Sequence, residues 1–103
     1  KAAAWHHIGE LYWEKVGEAD DAIRAYKEVL TLSENDTQAL DALERIYTQA
    51  EKYKELADIL NQKLDIQDDT ASKIELLRRI AELRYERIED TDGAISAYRQ
   101  ILD

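Results

Sequence analysis

Apolar side chains recur three or four residues apart along most of the chain, which is the spacing of an amphipathic α-helix. Two sets in the middle of the sequence carry the pattern: Leu40, Leu43, Ile46 and Tyr47, followed by Leu56, Ala57, Leu60 and Leu64. Gly17 and the polar runs 33–36 and 67–69 interrupt the pattern and mark breaks between helices. The spacing predicts six helices, over residues 2–16, 19–32, 37–50, 53–66, 71–88 and 93–102.

Short polar residues precede two of the predicted helices. Asn35 or Asp36 can begin the third helix, and Asp69 or Thr70 can begin the fifth. Side chains of this kind accept hydrogen bonds from the free N–H groups of a first helical turn. The chain also has no proline and only three glycines, so intrinsic propensity favours helix almost throughout. We therefore predict an all-α fold.

The sequence contains an internal repeat. A shift of 72 residues places residues 8–30 on residues 80–102 without a gap, and ten of the 23 aligned pairs are identical. Average residue usage would give about one identity by chance in such a window. Half of this shift is close to the length of a helical hairpin repeat. Together with the pattern of the middle segment, it predicts three hairpins, over residues 2–36, 37–70 and 71–103.

The first hairpin carries a specific residue pattern. It consists of Trp5, Ile8, Gly9 and Tyr12 in the first predicted helix, Gly17 after it, and Ala22, Tyr26, Val29 and Leu30 in the second. This pattern resembles the W-x2-L-G-x2-Y…A-x3-F signature of the tetratricopeptide repeat family. The resemblance implies an α-solenoid, a right-handed superhelix of three antiparallel helical hairpins, in a single domain over residues 1–103.

The chain also departs from the family pattern. One extra residue lies before Gly17, Glu44 replaces the first-helix glycine of the second hairpin, and Leu56 replaces its small alanine. The third hairpin repeats two signature positions at Ala94 and Tyr98. Because the first residue is not Met and the last residues directly follow an apolar segment, we expect the chain to be a fragment of a longer protein.

Acidic residues outnumber basic residues, 23 to 14, and the formal net charge at pH 7 is −9. This balance argues against nucleic acid and anionic membranes as ligands, because both bind clustered Lys and Arg. The apolar runs are too short to span a membrane and no signal peptide begins the chain, so we expect a cytoplasmic location. Abundant Glu and Asp are also typical of a solvated outer face.

The sequence carries no pattern for catalysis, cofactor binding or metal binding. Cysteine is absent, and we find no Gly-rich phosphate loop or nucleophile elbow. His6 and His7 are adjacent, so on a helix their side chains point about 100° apart and cannot hold one ion together. We expect neither an enzyme nor a protein that needs a cofactor or metal.

The resemblance implies a partner site on the concave surface that the first helices of the hairpins line. The family's groove positions correspond here to His6, Glu10, Trp13, Glu14, Asp41, Arg45, Gln49, Arg78, Glu82 and Tyr85, with Thr48, Glu75, Arg79 and Glu86 beside them. Carboxylates among these positions favour a basic or mixed-charge peptide over a partner that is recognised by its C-terminal carboxylate.

Two aromatic residues, Trp13 and Tyr85, align at the repeat shift on this surface. Aromatic and Arg side chains dominate the energetics of many interfaces, so Trp13 and Tyr85 are candidate hot spots beside Arg45 and Arg78. The alternative is that both rings pack on neighbouring helices.

The resemblance therefore implies a scaffold for protein–protein interaction that binds a peptide or protein on its concave face. An alternative is a structural spacer or a self-association module whose exposed repeat ends stack on further repeats. A third alternative is a segment that positions a larger enzyme or sensor. An aromatic and Arg-lined groove favours the first function, whereas exposed apolar end faces favour the second.

Overall fold

Six α-helices form in the computed structural model of the chain, which describes residues 2–16 and 19–102, and these residues contain no strand. The helices are α1 (Ala2–Glu10), α2 (Ala19–Leu32), α3 (Thr37–Gln49), α4 (Tyr53–Ile66), α5 (Thr70–Glu86) and α6 (Thr91–Leu102). The prediction of an all-α helical-repeat fold is confirmed. The predicted bounds of α2 and α4 agree with the structure, and those of α3, α5 and α6 agree within two residues. The first predicted helix reaches residue 16, but α1 ends at Glu10.

Asp36 and Asp69 are the residues that begin α3 and α5. Each has an extended backbone, and each side chain accepts a hydrogen bond from the N–H three residues later, that of Ala39 at 3.0 Å and that of Ser72 at 2.9 Å. A carboxylate in this position satisfies a donor that a first helical turn leaves free. The sequence-based choice of these two segments as helix starts is confirmed.

The first predicted helix does not remain α-helical to its end. Leu11–Val16 continues α1 as a π-helix, whose hydrogen bonds join residues five apart instead of four. The equivalent place in the repeat widens too, because the Ile88 N–H donates to the carbonyl of Leu83 at 3.1 Å. The π-helix lies just before Gly17, where the sequence has one residue more than the family pattern, so the extra residue is taken up within the helix.

The described chain falls into two compact units, Lys1–Glu51 and Lys52–Asp103. In the first unit α2 packs against both α1 and α3. Its core consists of Ala22, Ile23, Ala25, Tyr26 and Val29 from α2 and of Ala39, Leu40, Ala42, Leu43, Ile46 and Tyr47 from α3. Each fully buried Leu, Ile or Val stabilises the unit by about 1.5–3 kcal/mol relative to an exposed side chain.

In the second unit α5 packs against both α4 and α6. Its buried apolar residues are Leu56, Ala57, Ile59 and Leu60 from α4, Leu76, Leu77, Ile80 and Ala81 from α5, and Ala94 and Ala97 from α6. At one edge of the unit the guanidinium of Arg87 lies 5.4 Å from the ring centroid of Tyr53, a cation–π distance.

A carboxylate at Asp90 connects α5 to the start of α6. One of its oxygens accepts the Gly93 N–H at 3.0 Å, and the other accepts Nη1 of Arg84 at 2.9 Å. Because this capping contact lies at Asp90, α6 begins at Thr91 and not at the predicted residue 93. The chain leaves α5 through Glu89, which has a left-handed φ of 61°.

Gly9 allows the closest approach of two helices in the first unit. A methyl group on Gly9 would lie 2.6 Å from Cε2 of Tyr26, which is too close for any real contact. The repeat shift pairs Gly9 with Ala81 and Tyr26 with Tyr98. Ala81 carries that methyl group, so the second unit lacks the glycine that this close approach requires. Tyr26 is 3% exposed, whereas Tyr98 is 45% exposed.

We expect Gly9→Ala to lower the free energy of unfolding by about 1–3 kcal/mol, because the methyl group overpacks the Tyr26 ring. The same change in a Tyr26→Ala background removes the clash and leaves only the higher helix propensity of Ala. There Gly9→Ala should stabilise the protein by roughly 0.5–1 kcal/mol. Urea denaturation of the four proteins of this cycle measures both values. The same sign in both backgrounds would contradict the proposed contact.

Glu89→Gly should raise the stability of the second unit, because Gly has no steric penalty in the left-handed region that this position adopts. We expect a gain of about 0.5–1 kcal/mol after the entropy of the unfolded glycine is included. The control is Glu28→Gly, the same exchange inside α2, which should cost about 1 kcal/mol. Equal effects of the two exchanges in thermal unfolding would count against the argument.

Candidate functional site

A cleft of about 500 Å³ lies between α1 with its π-helical continuation and α3, with α2 beneath it. It is lined by His6, Glu10, Glu14, Tyr26, Gln38, Asp41, Ala42 and Arg45. Five of the predicted partner-binding residues, His6, Glu10, Glu14, Asp41 and Arg45, therefore line one cavity. We refer to this cavity as the α1–α3 cleft.

Helical spacing explains why these side chains meet. His6, Glu10 and Glu14 follow one another at intervals of four along the first helix and its π-helical turn, so they lie along one side of it. On α3, Gln38, Asp41 and Arg45 are separated by three and four residues and also share a side. The two rows form the walls of the cleft.

The base of the cleft is the ring of Tyr26. This ring is buried, and His6 meets it edge-on with the ring centroids 5.8 Å apart. Burial raises the pKa of the Tyr26 hydroxyl, the nearby Glu10 and Glu14 carboxylates raise it further, and Arg45 opposes them. The hydroxyl therefore stays neutral at physiological pH, and the base of the cleft is an uncharged aromatic surface.

His6 also connects the first helix to the start of α3. Its Nε2 lies 3.1 Å from Oδ2 of Asp36, while Oδ1 of Asp36 caps α3. Partial burial alone would raise the pKa of Asp36. The hydrogen bonds from His6 and from the Ala39 N–H outweigh burial, and the pKa of Asp36 is lowered. The ionised carboxylate is the form that both contacts favour.

Negative charge predominates on the walls of the cleft. Glu10, Glu14 and Asp41 contribute three carboxylates, and Arg45 contributes one guanidinium. Gln38 adds an amide that can donate and accept hydrogen bonds. A cationic side chain that enters the cleft would therefore meet carboxylates beside an aromatic base.

The predicted residues of α5 lie in the second unit and have local partners. The guanidinium of Arg78 forms ion pairs with Glu75, three residues before it, and with Glu82, four residues after it. Hydrogen bonding to Arg78 lowers the pKa of Glu75. A partner that binds Arg78 or Glu82 has to compete with these contacts. Tyr85, in contrast, is largely exposed.

Trp13 and Gln49 do not line the α1–α3 cleft. Trp13 is half-buried and Gln49 is exposed at the end of α3. Although Trp13 and Tyr85 align at the repeat shift, Tyr85 is much more exposed than Trp13. The two aromatic residues therefore differ in how much of each ring a partner could reach.

The groove pattern missed four residues of the cleft region: Tyr26, Gln38, Ala42 and Asp36. Tyr26 belongs to the family signature and not to the groove positions, yet one side of its ring forms the base. Gln38 lies three residues before Asp41 on the same side of α3, so helical spacing alone could have identified it. Asp36 was expected as a cap, but its contact with His6, 30 residues away, has no sequence signal.

The second unit has a cleft of its own, of about 540 Å³, which is lined by Lys54, Ala57, Asp58, Arg84, Ile88, Glu89 and Asp90. Arg84 and Asp90 are bound to each other there, and Asp90 also caps α6. These two charged groups hold the α5–α6 connection together.

Residues 2–16 and 19–102 contain no cluster of three or more His, Cys, Asp or Glu side chains that could hold a metal ion. None of their helices combines the length and the apolar character that crossing a membrane requires.

A family model described as tetratricopeptide repeat matches two adjacent segments of the chain, residues 4–38 and 39–73. The two matches begin 35 residues apart, which pairs Ile8 with Leu43 and Tyr12 with Tyr47. They cover more than half of the sequence, and they confirm the resemblance on which the sequence analysis depended. No curated protein matches the chain.

Asp36 contacts His6 of α1 and caps α3, so its replacement tests the link between these two helices. We expect Asp36→Ala to lower the free energy of unfolding at pH 7 by about 1 kcal/mol through loss of the cap, whereas Asn35→Ala, at the preceding exposed residue, should have little effect. Asp36→Asn keeps an acceptor for the Ala39 N–H but removes the charge.

The lowered pKa of Asp36 also predicts a pH dependence. Because the pKa is lower in the folded state, the ionised carboxylate stabilises the protein above the ordinary aspartate pKa of about 3.9. That contribution is lost as the pH falls through the folded pKa. The stability difference between wild type and Asp36→Asn should therefore shrink below about pH 4. A difference that stays constant from pH 7 to pH 3 in urea titrations would contradict this assignment.

Proposed function

The chain belongs to the tetratricopeptide repeat family, and on this basis we propose that it binds a protein or peptide partner in the α1–α3 cleft. Tetratricopeptide repeats generally mediate protein–protein interaction, and the family is one of non-catalytic scaffolds. The cleft lies within the segments that the family model matches.

The strongest support for this proposal is that charged side chains from two helices surround Tyr26. Glu10 and Glu14 lie on one wall, and Asp41 and Arg45 lie on the other. We propose that the partner inserts a Lys or Arg side chain between the carboxylates and lays its apolar stem on the Tyr26 ring. Long basic side chains suit such a site because they combine an apolar stem with a charged head.

Arg45 would orient a bound peptide in the site. A guanidinium binds a carboxylate or a backbone carbonyl through several parallel hydrogen bonds. We propose that Arg45 contacts an acceptor near the basic residue, so that the preferred partner is a peptide of basic or mixed charge. Trp13, Gln49, Arg78, Glu82 and Tyr85 remain proposed contacts for a longer partner.

The net charge of the chain supports the same class of partner. At −9 it attracts basic segments over a distance of about one Debye length, roughly 8–10 Å near physiological salt. Attraction of this kind raises the association rate and weakens with added salt. We propose no role in binding nucleic acid or membranes, since both are anionic.

A second candidate function is self-association. The exposed apolar residues Ile95, Tyr98 and Leu102 on α6 favour it, because contiguous apolar surface of this kind often marks a site of protein contact.

The cleft can be tested with a library of short random peptides displayed on phage. We expect selection on the intact chain to enrich peptides rich in Lys and Arg. The best peptide, made synthetically, should bind the Glu10→Gln/Glu14→Gln variant at least about tenfold more weakly by calorimetry, a loss of about 1.4 kcal/mol.

The matched control is Glu28→Gln/Glu34→Gln, which removes the same charge from exposed positions that do not line the cleft. We expect it to change the affinity by less than about threefold. An equal loss of affinity in both variants would mean that binding depends only on the net charge of the chain. If no peptide is enriched, or if the enriched peptides bind Glu10→Gln/Glu14→Gln as tightly as wild type, the proposed cleft is wrong.

A further inference from the structure

An apolar surface is exposed where α5 meets α6. Tyr85, Ala94, Ile95 and Tyr98 line a shallow pocket of about 290 Å³ there, and Glu82 and Glu86 border it. We call these residues the α5–α6 face. Two aromatic rings and an isoleucine on one exposed surface form a candidate interface, because aromatic residues supply much of the energy of protein contacts.

The internal repeat indicates what kind of element this face accepts. A shift of 72 residues pairs Ala94, Ile95 and Tyr98 with Ala22, Ile23 and Tyr26 on α2. Those three residues are buried, and α3 packs against α2 in the same unit. Ile95 is 44% exposed, whereas its counterpart Ile23 is 8% exposed. The α5–α6 face thus has the composition of a surface that a further helix covers in the first unit.

The helix that fits best is one that resembles α3. The matched family segments pair Leu43, Ile46 and Tyr47 of α3 with Ile8, Leu11 and Tyr12 of the first helix. All three α3 residues are buried, but Ile8, Leu11 and Tyr12 are exposed. The first helix therefore carries apolar residues equivalent to those of α3, but these residues are exposed, whereas those of α3 are buried. We call Ile8, Leu11 and Tyr12 the α1 face.

Charge complementarity supports the same pairing. The family match places His7 at the position of Ala42 on α3. In the first unit, Ala42 lines the cleft together with Glu10 and Glu14. The counterparts of those carboxylates at the repeat shift are Glu82 and Glu86, which border the α5–α6 face. A helix seated there as α3 is seated beside α1 would bring the exposed His7 imidazole to the Glu86 carboxylate, whereas Glu82 is already paired with Arg78.

We propose that the α1 face of a second copy of this chain packs on the α5–α6 face, as α3 packs beside α2 within the first unit. This inference deepens the self-association candidate and is independent of peptide binding in the α1–α3 cleft. The contact joins two different surfaces and is therefore heterologous. Such contacts continue from copy to copy unless they close into a ring, so the assembly should grow with concentration beyond a dimer.

Sedimentation velocity from about 1 µM to about 1 mM covers the range of weak to moderate affinity that such a contact would have. We expect the wild-type chain to form oligomers of increasing size across this range. Ile95→Asp removes the α5–α6 face and Leu11→Asp removes the α1 face. Each variant alone should be monomeric, with the apparent dissociation constant raised at least about tenfold.

An equimolar mixture of the two variants distinguishes this geometry from other modes of association. Each variant keeps the face that the other lacks, so the mixture should form dimers and nothing larger. The controls are Ile74→Asp on α5 and Leu32→Asp on α2, where the same residue types are similarly exposed outside both faces. Both controls should oligomerise like wild type, and circular dichroism should show all four variants helical.

Several results would overturn the proposal. A wild-type chain that is monomeric throughout would exclude self-association as a whole and leave the α5–α6 face to a different partner. Oligomers that persist in Ile95→Asp or in Leu11→Asp would retain self-association but place it elsewhere. A mixture that stays monomeric would exclude the heterologous pairing. Peptide binding to the α1–α3 cleft, measured on the monomeric variants, reports on the first proposed function separately.

Discussion

The packing of Tyr26 on Gly9 is the contact on which the first unit depends. Because Gly9 has no side chain, α1 approaches α2 closely enough for the Tyr26 ring to be buried. The buried ring then packs edge-on against His6, and His6 reaches the carboxylate that begins α3. The absence of a side chain at Gly9 therefore sets the distance between α1 and α2. It also sets the position of the Tyr26 ring at the base of the cleft and the position of the cleft walls.

The equivalent hairpin of the second unit differs at this contact. Ala81 stands at the position of Gly9, and Tyr98 lies exposed on α6 instead of being buried. The unit is held instead by aliphatic packing and by Asp90, which links Arg84 to the first turn of α6. Two hairpins of similar sequence thus offer different surfaces, a polar cleft in one and an apolar face in the other.

Much of this arrangement was predictable from the sequence, and the rest depended on contacts that no spacing encodes. Helical periodicity placed six helices, and the alignment with the family's groove positions identified five side chains of the α1–α3 cleft. The role of Tyr26 in the cleft and the contact of His6 with Asp36 were not predictable, because both require residues far apart in sequence to meet. The ion pairs of Arg78 with Glu75 and Glu82 follow from helical spacing, yet the family alignment treated these residues as partner contacts.

The π-helical turn over Leu11–Val16 has a consequence for how such repeats change length. A residue inserted into a regular α-helix rotates every later side chain by about 100°, which would move apolar residues to the solvent. Because the wide turn lies at the end of the helix, the insertion leaves the faces of the preceding residues Ala2–Glu10 unchanged. Length variation in a helical repeat is thus not confined to its loops, and a gap in an alignment can belong in the last turns of a helix.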